Sequence, residues 1–144
     1  MRVLIVDGHS IIFAWPEMRK LHQKRNVLAR DALVKLLTEY QDSSGDHVVV
    51  VFDGQGAKTS DATEPGGVQI FYSHAGQTAD DVVERLVARY GKTHDITVAT
   101  DDSMEQQTAI SFGALYVSSD GLKAMIEDTR KSFQRELKKH SRKP

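Results

Sequence analysis

Seven carboxylates, Asp7, Asp53, Asp80, Asp81, Asp101, Asp102 and Glu105, fall where an apolar run ends or where a helix should begin. Carboxylates gathered at one edge repel one another unless a cation lies among them. With no cysteine in the chain, a hard oxygen set of this kind suits Mg²⁺ or Mn²⁺ better than a softer metal. Such an ion lowers the pKa of water and steadies an in-line attack on a phosphate. Each residue also has a plainer use, because Asp in a first helical turn is favoured by the helix dipole and by capping, and Asp-Gly after a strand is a common turn. Asp7 stands apart, since it ends a buried strand with no adjacent basic residue.

Bringing these groups together requires strands that finish at one edge. The run Val3-Leu4-Ile5-Val6 stops on Asp7-Gly8, Val48 to Phe52 stops on Asp53-Gly54, and Ile96 to Thr100 stops on Asp101-Asp102. Apolar, β-branched runs bounded by turn residues predict strands buried on both faces. Between them, apolar spacing predicts a helix over 11–24 broken at Pro16, and an amphipathic helix over 27–40 that stops near Gly45. The stretch 54–67 is rich in Gly and polar residues and reads as an exposed loop. A strand at 68–72 follows, then a helix over 79–90 capped by Thr78.

After the strand at 95–100, Ser103 and Gln106 have capping-box spacing for a helix ended by Gly113. A short strand at 114–117 and a last helix from Ser118 or Ser119 complete the chain, the helix fraying into a basic tail from about residue 130. Strands alternating with helices predict an α/β fold, a three-layer α/β/α sandwich with a mainly parallel central sheet of about five strands. In such sheets ligands bind beyond the carboxyl ends of the strands.

The chain has 144 residues, 27% of them charged, with a formal net charge of -1. These values fit one domain with a proper core, and bulk charge favours neither nucleic acid nor membrane as a partner. Without cysteine there can be no disulfide, thiolate ligand or Cys nucleophile. No targeting signal or membrane-length apolar run is visible, so a cytoplasmic protein is expected.

The segment Val6-Asp7-Gly8-His9-Ser10-Ile11-Ile12-Phe13-Ala14-Trp15-Pro16-Glu17 resembles the opening of the bacterial YacP-like proteins, members of the NYN branch of PIN-like nucleases. Ala29-Arg30-Asp31, Glu39-Tyr40-Gln41, Val50-Val51-Phe52-Asp53, Gln77-Thr78-Ala79-Asp80, Val98 to Asp102 and Glu105-Gln106 follow in the family's order and spacing. Several motifs in register are far more specific than one short pattern. The resemblance implies a single PIN-like domain over 1–144 and a Mg²⁺- or Mn²⁺-dependent endoribonuclease, with RNA, and in some relatives the ribosome, as partner. It implies a metal held by Asp7, Asp80 and Asp102, with Asp53 and Ser10 as further catalytic positions. Asp102, rather than Asp101, matches the family aspartate, and Glu105 stands where the family also has Glu.

His9-Ser10 replaces the family's Tyr-Asn, so a hydroxyl with shorter reach takes the place of an amide. His9 reads as a base, a phosphate contact or a solvated loop residue. Arg19, Lys20 and Arg30 are candidates to contact RNA phosphates, and Glu105 to contact substrate. Trp15 is a candidate to stack on bases, with core packing as the alternative, while Phe13 reads as core. A receiver domain would need an acid at Gly8 and a dehalogenase-type phosphatase a second Asp at His9. The stronger competitor is a PIN-like module that binds RNA or the ribosome without cutting.

Overall fold

The computed structural model describes residues 1–54, 61–63, 67–74 and 76–141. Its elements in chain order are β1 (Arg2–Asp7), α1 (Gly8–Ala14), α2 (Pro16–Lys24), α3 (Asn26–Ser44), β2 (His47–Phe52), β3 (Asp61–Thr63), β4 (Gln69–Tyr72), α4 (Ala79–Tyr90), β5 (Asp95–Ala99), α5 (Ser103–Ser111), β6 (Leu115–Val117) and α6 (Ser119–Ser141). The strands form one sheet in the order β3-β4-β2-β1-β5-β6, parallel except for β3, which runs antiparallel to β4. The expected five parallel strands are therefore present. The addition is β3, which lies within the stretch read as a loop; most of that loop falls outside the described residues.

Alternation along the strands builds two cores. Leu4, Val6, Val48, Val50 and Phe52 face α1, α2, α3 and α6, where Ile12, Trp15, Leu33, Leu37 and Leu122 meet them. Val3, Ile5, Val49, Val51, Ile96 and Val98 face the opposite way, against Val82, Val83, Leu86, Val87 and Ala109 of α4 and α5. Because helices cover both faces, β1 and β2 are apolar at nearly every position, as strands buried on two sides must be.

Helix boundaries follow local chemistry. Trp15 is extended between α1 and α2, and Pro16 opens α2 at the position where its missing N–H costs nothing. Gly45, at φ +77°, ends α3 in the left-handed region. Val27 and Leu28, the first apolar residues of the amphipathic stretch, are exposed at the first turn of α3, and its buried face begins at Ala29 and Leu33.

The chain passes from β1 to β2 and β4 on one side, then crosses back to β5 and β6 on the other. The carboxyl ends of β1 and β5 thus flank the point where winding reverses, the usual place for a ligand crevice in open α/β sheets. Gly8 lets the chain turn there without a clash: a Cβ on it would run into the Phe52 ring. Among the described residues no helix is long and apolar enough to cross a membrane.

Candidate metal centre at the carboxyl end of the sheet

A cleft of about 640 Å³ opens beyond β1 and β5, lined by Asp7, Ser10, Phe13, Asp53, Asp80 and Asp102 among others. Asp7 is delivered to its floor by β1 and is only 5% exposed. It caps α1, accepting from the Ser10 N–H at 3.3 Å, and its other oxygen accepts from the Thr100 hydroxyl at 3.4 Å. Burial raises the pKa of its carboxyl, Glu105 and the Ser10 N–H work against that, and the charge of Asp80 adds to it.

Asp80 comes from the first turn of α4, whose start is fixed by a reciprocal capping box between Thr78 and Asp81. Asp53, from the end of β2, also holds that helix: its Oδ1 accepts from the Ala79 N–H at 3.1 Å. Its Oδ2 lies 3.3 Å from His9 Nε2, an ion-pair contact without hydrogen-bond geometry. His9 is thus a half-buried helix residue beside a carboxylate rather than a solvated loop side chain.

Asp7, Asp80 and Glu105 each offer a carboxylate oxygen, and the three lie within 4.8 Å of one another. Glu105 is 2% exposed, and neither of its oxygens meets a hydrogen-bond donor. Burial first, then the Asp80 and Asp7 carboxylates beside it, push its carboxyl up to about 10. Two orphaned, buried oxygens facing two further carboxylates are the surroundings that a hard divalent cation satisfies, so the donor set fits Mg²⁺ or Mn²⁺. Among the described residues no Lys or Arg forms an ion pair with any of the three.

Asp102, the third ligand expected from the sequence, is not in this group. Its Oδ1 accepts from the N–H groups of Met104 at 2.8 Å and Glu105 at 3.4 Å, so it caps α5 in place of Ser103. That one-residue shift explains the exchange. With Asp102 as cap, Glu105 occupies the third helical position, whose side chain turns back toward the helix start, and here it meets Asp7 and Asp80. Glu105, expected to touch substrate, sits beneath the cleft instead.

The remaining candidates divide between tethers and rim. Ser10 Oγ accepts from the Asp101 N–H at 2.7 Å, and Asp101 in turn accepts from the Ser119 N–H at 2.7 Å and hydroxyl at 2.6 Å. Trp15 is core, 3% exposed, with its indole N–H donating to the Ser119 carbonyl at 3.2 Å. Arg30 donates to the Asp53 carbonyl at 3.0 Å and lies over the Phe52 and Tyr72 rings, a packing role behind the cleft. Arg19 and Lys20 are exposed on α2, and Arg19 donates to the Phe13 carbonyl at 3.4 Å. Phe13, read as core, is 47% exposed on the cleft wall. The reversal between Phe13 and Trp15 was not visible in their types; the break at Pro16, which rotates the chain between two helices, was the available signal.

Comparison with known proteins gives a consistent answer. The family model described as YacP-like NYN domain matches residues 4–144. The YacP protein of Bacillus subtilis (strain 168) is 33% identical over 141 residues, covering 96% of this chain and 83% of that protein. The crystal structure of Rae1 (YacP) from Bacillus subtilis superposes with a TM-score of 0.79 at 34% identity, covering 98% of this chain and 82% of the other. A point mutant of the same protein gives 0.80 at 31% identity, with coverage of 99% and 84%.

Proposed function

The chain belongs to the YacP-like NYN domain family, and from that premise we propose that it is a divalent-metal-dependent endoribonuclease that hydrolyses RNA phosphodiester bonds, mRNA on the ribosome included. Family membership supports a nuclease-like, RNA-related function. The observation that carries the finer reading is Glu105, a buried carboxylate with both oxygens unpartnered beside Asp7 and Asp80. Its neighbours are two more acids, with only the Thr100 hydroxyl favouring its charged form, so without a cation the cluster must hold a proton.

Asp7, Asp80 and Glu105 would hold the ion, and Mg²⁺ or Mn²⁺ there would polarise a phosphate oxygen and activate water for attack. The chain's own groups prepare that event. Thr100 and the Ser10 N–H fix the Asp7 carboxylate from two sides. Asp53 anchors the first residue of α4, so that Asp80 is presented at a rigid helix start. Asp102 caps α5 and thereby aims Glu105 inward. Arg19, exposed on α2 and tied to the Phe13 carbonyl at the cleft wall, would meet a phosphate flanking the scissile one, with Lys20 of the same helix a further candidate.

A second reading, a module that binds RNA without cutting it, is favoured by one observation: Ser10 Oγ is drawn toward the loop after β5 by accepting from the Asp101 N–H, which leaves a single O–H donor of shorter reach than an amide for placing substrate. Incubation with RNA, with and without Mn²⁺, separates the two. The expected result is metal-dependent cleavage by the wild type and a loss of roughly a hundredfold to a thousandfold in Asp80→Asn, as removal of several kcal/mol of charge stabilisation implies. No metal-dependent cleavage by either protein, with RNA binding retained in both, would favour the binding module instead.

A further inference from the structure

The acidic centre does not account for Phe13. It lines the same cleft as Asp7 and Asp80 and stays 47% exposed, while its larger neighbour Trp15 is buried. Nor does the ring hang loose. His9 lies nearly parallel to it, with centroids 5.7 Å apart at 16°, and His22 meets it edge-on at 4.8 Å and 68°. These contacts from α1 and α2 hold the ring in place, which lowers the entropic cost of a further partner stacking on it. Arg19 is tied to the Phe13 carbonyl.

From this arrangement we propose that Phe13 is the stacking platform for an unpaired nucleobase of the RNA that enters the cleft, so that the chain selects single-stranded over duplex RNA. The inference rests on the reading of RNA as substrate. A cleft walled by Asp7, Asp53, Asp80, Asp101 and Asp102 repels phosphates away from a bound cation, whereas the face of a base carries no net charge and fits against an aromatic ring. A base paired within a duplex shows only its edges, so a base that stacks on Phe13 must first be unstacked from its own strand. Arg19, exposed on the helix that follows and tied to the Phe13 carbonyl, is placed for a phosphate beside that nucleotide.

The test measures binding of the full chain by fluorescence anisotropy, with Ca²⁺ as the divalent ion. The probes are a short single-stranded RNA, its duplex, and the same strand carrying abasic residues. Expected are preference for the single strand and a loss of roughly tenfold to a hundredfold in Phe13→Ala, the range for one stacked base. Phe13→Trp should retain binding, and the abasic strand should bind wild type and Phe13→Ala alike. An unchanged melting temperature, and an unchanged Mn²⁺-induced shift in it, would show that Phe13→Ala leaves fold and metal centre intact. Equal binding of single strand and duplex, full binding by Phe13→Ala, or no RNA binding by the wild type would overturn the proposal. Phe13-dependent binding without metal-dependent cleavage would overturn the nuclease reading and leave this one standing.

Discussion

The two ends of the parallel sheet use the same residue types in opposite ways. At the amino end, Arg2 from β1 pairs with Asp46 at 2.9 Å, and the Tyr40 hydroxyl donates to the same carboxylate at 3.4 Å. Gln41 likewise spans a gap, accepting from the Val48 N–H and donating to the Gly67 carbonyl. At the carboxyl end, Asp7, Asp80 and Glu105 face one another. Charges at the first end are matched and serve the fold; charges at the second are held against repulsion, which only a packed scaffold can do.

The largest expected effect would break this contrast at its centre. Glu105→Gln should abolish the stabilisation by Mn²⁺ and lower RNA cleavage roughly a hundredfold or more. Asp102→Asn should keep most of both, since Asn caps a helix about as well as Asp. Cleavage rates and melting temperatures with and without Mn²⁺ compare the two variants directly, and the reverse ranking would restore Asp102 as the third ligand.

Next comes pH. The folded chain holds a proton on Glu105 that the unfolded chain releases near 4.5, and the raised value is about 10. The folded state therefore binds more protons between those limits, and stability falls as pH rises through them. In EDTA the melting temperature should drop by several degrees from about pH 5 to pH 8, on the scale set by a kcal/mol or more. Mn²⁺ should flatten that decline, as should Glu105→Gln. A flat profile in EDTA would remove the argument for an uncompensated cluster.

Ser10→Ala should cost about 1 kcal/mol, the value of one lost hydrogen bond. Thermal or urea unfolding would measure it, alongside a modest fall in cleavage as the loop after β5 loosens. The smallest effect belongs to the other end: Arg2→Ala breaks an exposed pair worth roughly 0.2–1 kcal/mol and should leave cleavage unchanged. A large loss of activity there would show that the two ends are not independent.

Much of this was legible in the chain. Strand ends at Asp7, Asp53 and Asp101 are marked by apolar runs that stop on acid, a pattern of period and burial that needs no tertiary knowledge. The helix of Ala79–Tyr90 and the strand of His47–Phe52 are likewise found where spacing and capping residues place them. Besides the reversal of Phe13 and Trp15, two features escaped. Which of Ser103 and Asp102 caps α5 depends on the exit angle of β5, and that choice decides whether Asp102 or Glu105 turns toward Asp7. The short strand Asp61–Thr63 is stabilised by pairing with β4 rather than by its own residues, so nothing local announces it.

The adjacent aspartates after β5 carry one more consequence. Asp101 reaches to Ser119 at the start of α6, and Asp102 caps α5, so consecutive residues launch two different helices from one branch point. The joint is therefore sensitive to length more than to composition. Inserting one residue between Asp101 and Asp102 would preserve every side chain named above, yet the Asp101 tether to Ser119 and the Asp102 cap of α5 would no longer be set by adjacent residues. Relatives that differ widely in sequence should accept insertions in the stretch after β2 long before they accept one here.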